Sequence, residues 1–96
     1  MAKFAVIATV EVTPGRMDEY LPLMMAHRAR CLKDELGTLQ FEVLRPKEEN
    51  KLLLYEVYTD EAAFETHLKG SSRARQHREA AGMVVSMSGT RCTLME

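Results

Sequence analysis

The chain has 96 residues, of which 46% are hydrophobic and 28% are charged, with 13 basic and 14 acidic side chains. This length predicts a single domain over residues 1–96, whose small core would gain from a partner. A formal net charge of −1 provides no basic surface for nucleic acid or an anionic membrane, so we expect neither as a partner.

The cysteines and the apolar segments predict a soluble cytoplasmic protein. Cys31 and Cys92 form no CxxC pair, so we interpret them as reduced thiols, with a disulfide between them as the open alternative. The N-terminal apolar run is interrupted by Glu11 and has no small-residue cleavage site, which indicates a strand and not a signal peptide. No segment approaches the roughly 18 apolar residues of a membrane span.

The first predicted strand, Phe4–Val12, is largely apolar on both faces. One face begins with Phe4 and Val6, and the other begins with Ala5 and Ile7. A strand of this kind is usually covered on two sides. We therefore expect helices on one face of the sheet and a second copy of the chain on the other, which makes the protein a homodimer.

The first helix is predicted from Met17 to Leu36, with Gly37 as its stop signal. Pro22 lacks a backbone N–H, so it predicts either a kink or a late start near Tyr20. His27 and Arg28 fall where the apolar stripe should continue. We interpret both as edge residues with their polar ends in water, and keep Arg28 as a candidate that reaches into a pocket.

A hairpin is predicted next, from strands Leu39–Arg45 and Leu52–Tyr58 joined by the polar turn 46–50. Glu56 is an isolated acid in the second of these strands. Thr59 and Asp60 are possible N-caps for a short helix, Glu61–Leu68, which places Phe64 and His67 on or beside the face toward the sheet.

The last third of the sequence allows two interpretations. The favoured one places a helix from Arg73 to about Met87, with Gly89 as its stop, and a final strand over Thr90–Met95. The alternative makes Met83–Met87 the strand, since Gly82 lies within the helical pattern and two valines follow. The favoured version gives βαββαβ, the ferredoxin-like α+β plan with an antiparallel sheet.

In order, these motifs resemble the antibiotic biosynthesis monooxygenase family of small dimeric α+β barrels. The resemblance is carried by Pro14-Gly15, by 35–37 (Glu-Leu-Gly), and most tightly by 55–68, YEVYTDEAAFETHL. It implies a sheet that pairs with that of a second subunit to form the barrel. It also implies one of several chemistries, because this fold carries more than one.

The activities implied by the resemblance are oxygenation of phenols or quinols without a cofactor, and isomerisation of a phosphorylated dicarbonyl compound. A haem-degrading branch uses a tryptophan and a strand asparagine, whereas this chain has no tryptophan and Asn50 lies in a turn. Many relatives also carry a second histidine or a tyrosine five residues after the first. Here that position is Ser72, which weakens any mechanism that needs two imidazoles.

His67 is the predicted catalytic base, since an unperturbed histidine pKa of roughly 6.5 suits proton transfer near neutral pH. Glu56 could hold its second ring nitrogen and stabilise the cation. The predicted substrate-binding residues are Tyr58, Phe64, Tyr20, Met24 and Arg28. Tyrosine hydroxyls can donate to a substrate oxygen, and methionine sulfur adapts to flat ligands.

Three alternatives are open. His67 could merely stabilise a helix C-terminus, and Glu56 could be structural. The whole domain could bind a small molecule without turnover. We expect no metal site, because the three histidines show no ligand spacing, and no cofactor.

Overall fold

Three helices pack on one face of a four-stranded antiparallel sheet in the computed structural model, which describes residues 2–96. In chain order the elements are β1 (Phe4–Val12), α1 (Met17–Asp34), β2 (Thr38–Leu44), β3 (Lys51–Tyr58), α2 (Glu61–Lys69), α3 (Ser71–Glu79) and β4 (Val84–Thr93). The strand order is β2-β3-β1-β4. The predicted ferredoxin-like βαββαβ plan is confirmed, with α2 and α3 forming its second helical segment.

Helix α1 begins at Met17, so a late start near Tyr20 is wrong. Met17 and Tyr20 are both buried, and this packing secures the first turns although Pro22 removes one backbone hydrogen bond inside the helix. The helix ends at Asp34 because Glu35 is extended, with φ −105° and ψ 106°. No helix in residues 2–96 is long and apolar enough to cross a membrane.

The predictions for the last third of the chain are wrong in their favoured form. Helix α3 stops at Glu79 instead of continuing to about Met87, and β4 begins at Val84 instead of Thr90. The helix is left at Ala80, and Gly82 then has φ +80°, a left-handed conformation that turns the chain away from the helical path before β4. The alternative strand over Met83–Met87 is closer to the structure.

The two faces of the sheet differ in burial. Phe4 and Val6 lie on the helix side and are buried, whereas Ile7 points the other way and is 53% exposed. Ile7 pairs with Tyr55, and Leu53 pairs with Leu44, so these side chains share the side of the sheet opposite the helices. We call this surface, defined by Ile7, Leu44, Leu53 and Tyr55, the open sheet face.

Asp60 caps the short helix α2. Its carboxylate accepts a hydrogen bond from the backbone N–H of Ala63 at 2.8 Å. We predict that Asp60→Ala lowers the free energy of unfolding by about 1 kcal/mol. Asp60→Asn should lose much less, because an asparagine side chain can also accept the capping hydrogen bond. Urea denaturation of both variants measures this, and equal losses would show that the cap is not the cause.

Candidate functional site

A cavity of about 730 Å³ lies between the helices and the β1, β3 and β4 strands. Its size falls within the range typical of small-molecule sites. Five of the seven predicted site residues line it: Tyr20, Met24, Glu56, Phe64 and His67. The predicted pocket is therefore present, and it opens along the edge strand β4.

His67 contributes to the wall of this cavity and is only 5% exposed. Its Nδ1 lies 2.8 Å from Oε1 of Glu35. An ionised carboxylate only accepts hydrogen bonds, so the imidazole is the donor. The ring of Phe64 stacks beside the imidazole, with centroids 6.2 Å apart and planes 20° apart. The imidazole is therefore held from two sides.

The chain around Gly37 brings Glu35 to His67. A side chain at Gly37 would place its Cβ 2.5 Å from the Cβ of Ala63, so only glycine allows this close approach to α2. Glu35 follows α1 directly, and its Oε1 also accepts a hydrogen bond from the Thr38 hydroxyl at 2.8 Å. Two donors thus fix the carboxylate against the imidazole.

Glu56 lies in the same cavity but has a different partner from the predicted one. It accepts a short hydrogen bond from the Tyr58 hydroxyl, whereas the carboxylate that pairs with His67 is Glu35. Burial raises the pKa of Glu56, and the Tyr58 hydrogen bond partly counters this. Burial also raises the pKa of Tyr58, and the Glu56 charge adds to the effect. Tyr58 is fully buried behind Glu56 and is not among the lining residues.

Arg28 lies apart from the cavity lining. Its guanidinium donates to the backbone carbonyl of Phe41 and to the carboxylate of Glu42, the latter at 3.2 Å. Arg28 thus connects α1 to β2. The structure does not bring it together with the other predicted site residues.

His27 is 4% exposed and lines the cavity, so its predicted position at the edge of the helix with its ring in water is wrong. Burial lowers the pKa of His27 to about 4, with His67 and Arg30 as further causes, and the ring is neutral near neutral pH. The centroids of His27 and His67 lie 5.7 Å apart. A second imidazole thus lies beside His67, although the position five residues after His67 is Ser72.

Cys31 lies between the two histidines and is fully buried as a free thiol. Burial raises its pKa to about 12, and the charges of Glu35 and Glu56 contribute. His27 and Cys31 are four residues apart in α1 and share one of its faces, and Glu35, four residues further on, follows directly after the helix end. That spacing could have predicted their proximity from the sequence.

Gln76 and Arg73, both on α3, are polar lining residues outside the predicted set of site residues. Gln76 is 5% exposed, and its side-chain oxygen and nitrogen make no hydrogen bond of normal geometry among residues 2–96, although the amide lies near enough to the Tyr20 hydroxyl to lower its pKa against the effect of burial. A buried amide without partners is costly unless a ligand or water satisfies it. Arg73 is half-buried, and its positive charge helps to lower the pKa of Glu56, against the larger effect of burial.

Comparison with known proteins gives the chain a family. The family model described as antibiotic biosynthesis monooxygenase matches residues 3–81. A search of the curated proteins found no match.

Several solved structures share the fold. A Caulobacter crescentus CB15 protein named as a candidate antibiotic biosynthesis monooxygenase superposes with a TM-score of 0.92 at 20% identity, covering 99% of this chain and 92% of that one. The PA3566 protein of Pseudomonas aeruginosa gives 0.89 at 20% identity, covering 100% and 97%. The Rv0793 protein of Mycobacterium tuberculosis gives 0.85 at 17% identity, covering 99% and 97%. With the family model matching most of its length, this chain belongs to the antibiotic biosynthesis monooxygenase family.

Proposed function

We propose that this protein is a cofactor-independent monooxygenase of a small phenolic, quinol or otherwise enolisable substrate, with His67 as general base. One observation carries the proposal: a buried imidazole, held by Glu35 at 2.8 Å, forms part of the wall of a mostly apolar cavity. Such a carboxylate-oriented imidazole is a recurring arrangement for proton abstraction.

The Glu35 contact determines which nitrogen of His67 can act. Because Nδ1–H donates to the carboxylate, the free lone pair is on Nε2. Nε2 would remove the proton from a substrate hydroxyl or enolisable carbon. The nearby negative charge of Glu35 would then stabilise the imidazolium until the proton is returned.

The reaction needs no external reductant, because the substrate supplies all the electrons. The deprotonated substrate gives electrons to O₂, a carbon–oxygen bond forms, and a substrate hydroperoxide results. Its O–O bond then breaks, one oxygen atom stays as a carbonyl, and the other leaves as water after taking protons from the imidazolium and the substrate. A naphthohydroquinone would thus consume one O₂ and give a hydroxynaphthoquinone and one water.

The cavity provides contacts suited to such a substrate. Met24 and Phe64 offer apolar and aromatic surface, which protects an anion from water. Gln76 offers an unpartnered amide to a ring oxygen. Arg73 supplies a positive charge that would favour the substrate anion.

The active unit proposed here is a cytoplasmic homodimer. The open sheet face exposes Ile7 and Leu44 by 53% and 50%, and single chains rarely leave the centre of a sheet uncovered in this way. A second copy covering this face would close the two sheets into a barrel and bury about 2,000 Å² or more. The free thiols of Cys31 and Cys92 support a reducing compartment.

Oxygen uptake with a panel of benzohydroquinones, naphthohydroquinones and anthrones tests the function. We predict that His67→Ala lowers kcat/KM by about 100-fold or more, and that Glu35→Gln causes a smaller loss. Arg78→Ala changes an exposed basic residue of α3 that does not line the cavity, and its kcat/KM should stay within about twofold of the parent value. Because His67 is buried, His67→Gln serves as a second variant if the alanine protein unfolds.

The result that contradicts a base at His67 is full activity in a folded His67 variant, measured above the protein-free oxidation rate. A second candidate function is favoured by Arg73 and His77, which both line the cavity and could receive an anionic group such as a phosphate. Isomerisation or simple binding of a phosphorylated dicarbonyl compound would then occur without oxygen uptake. Oxygen uptake that depends on the substrate distinguishes the monooxygenase from an isomerase and from a protein that only binds the compound.

A further inference from the structure

Three potential metal ligands meet at the cavity wall, and we call them the thiol–imidazole cluster: His27, Cys31 and His67. The Sγ of Cys31 lies 3.6 Å from Nε2 of His27 and 3.8 Å from Nδ1 of His67. One ligand atom from each residue lies within 4.8 Å of the other two. All three residues are at least nine-tenths buried.

These separations are close to those of a tetrahedral zinc site. Bond lengths of about 2.3 Å to sulfur and about 2.05 Å to nitrogen place a sulfur and a nitrogen ligand about 3.6 Å apart. The sulfur–nitrogen distances to both histidines are close to this value, and because Sγ is also 3.7 Å from Nδ1 of His27, either nitrogen of that ring could be the ligand. Two nitrogen ligands of one zinc ion lie about 3.4 Å apart. The ligand nitrogens of the cluster lie within 4.8 Å of each other, so the imidazoles must move closer together when an ion binds.

Glu35 can complete the site. Its Oε1 lies 2.8 Å from Nδ1 of His67, the same nitrogen that faces Cys31. If Nδ1 binds a metal ion it can no longer donate to Glu35, and the carboxylate becomes available as a fourth ligand. A thiolate and a carboxylate together neutralise a divalent ion, which makes its burial tolerable.

We propose that the thiol–imidazole cluster and Glu35 form an inhibitory site for a zinc-like divalent ion. Binding displaces the Cys31 thiol proton to solvent and moves the His67 proton from Nδ1 to Nε2. The nitrogen required as the base is then protonated, so metal binding and proton abstraction exclude each other. The inhibition, though not the binding, rests on the proposed function.

The donor set also defines the class of ion. One thiolate and two imidazoles favour Zn²⁺ and related transition ions over Mg²⁺ or Ca²⁺, which require oxygen ligands. His27 and His67 both line the cavity, so an ion can reach the cluster from there. This departs from the expectation that the chain holds no metal, which considered only the spacing of the histidines.

Titration of chelator-treated protein with Co²⁺ tests the binding. Tetrahedral Co²⁺ bound to a thiolate gives a near-ultraviolet charge-transfer band and intense visible bands, and Zn²⁺ should abolish both by displacement. We expect Cys31→Ser to lose the charge-transfer band and weaken binding by more than about 100-fold, the upper end for loss of an outer-shell partner. Cys92→Ser removes the other thiol, and this variant should retain both the charge-transfer band and the affinity for Co²⁺.

Absence of the band in the parent protein, or its persistence in Cys31→Ser, would overturn the site. Cys31→Ala repeats the test if a buried hydroxyl prevents folding. For the inhibition, we expect Zn²⁺ to suppress oxygen uptake in the parent and to leave Cys31→Ser active. Equal inhibition of both would overturn the proton-switch mechanism.

The two proposals fail separately. Co²⁺ binding that depends on Cys31, in a protein that oxidises none of the quinols with chelator present, would refute the monooxygenase and keep the metal site. Quinol turnover without any Co²⁺ band would refute the metal site and keep the monooxygenase.

Discussion

Replacing Ile7 by glutamate is expected to turn a dimer into a monomer. Ile7 lies on the central strand β1 in the open sheet face, where a partner's sheet would cover it. Symmetry places two such carboxylates in each interface, and burying each costs about 3 kcal/mol or more. Dimerisation should therefore weaken by roughly 10,000-fold. Sedimentation velocity at micromolar concentration measures this.

Leu36→Glu provides the matched control for Ile7→Glu. Leu36 is 98% exposed in the turn between α1 and β2, so the same change there should leave the oligomeric state as it was. A parent protein that sediments as a monomer at micromolar concentration would contradict the proposed dimer. So would a fully dimeric Ile7→Glu variant.

Truncating Phe41 to alanine should lower the free energy of unfolding by about 3–5 kcal/mol, a large share of the stability of a domain this small. Phe41 is 1% exposed, and its ring meets the edge of His27 with centroids 5.7 Å apart. The change removes packed surface and leaves a void next to the cavity. Chemical denaturation measures the loss.

Leu39→Ala is the comparison for Phe41→Ala, because it truncates an apolar side chain on the same strand that is already 46% exposed. We expect its loss to be below about 1 kcal/mol. Similar losses for the two variants would show that Phe41 does not pack as the structure has it.

Local patterns were sufficient to predict the elements that carry most of the site. The strand β1 was predicted from an apolar run that covers both of its faces. The alternation in β3 separates its two faces, and the spacing in α2 places Phe64 and His67 toward the sheet. These predictions succeeded because each of these elements buries one side against the core. In such elements the spacing of the apolar residues along the sequence shows which side is buried.

The sequence failed at β4 because an edge strand lacks that signal. Nine of its ten residues are exposed in the single chain, with Cys92 as the half-buried exception, so its pattern indicates neither a helix nor a strand face. Backbone pairing with β1 holds it in place. The run of two valines after Gly82 was the better local guide, since β-branched residues favour strands.

Glu35 and His27 were missed for a different reason. Each gains its chemical role from His67, which is 32 and 40 residues away in sequence, and no local pattern encodes that proximity. Glu56 is adjacent in sequence to the predicted site and therefore seemed the natural partner. Glu35 is the partner because the chain at Gly37 passes close to α2, which brings Glu35 next to His67.

The most direct test of the proposed chemistry follows the oxygen atoms of isotopically labelled O₂ through one turnover of a naphthohydroquinone, with chelator present. We predict one labelled atom in the quinone product and one in water, with labelling at the protein-free level in His67→Ala. Product that carries no label from the enzyme-dependent reaction, or labelled oxygen recovered entirely as hydrogen peroxide, would contradict a monooxygenase that uses His67 as its base.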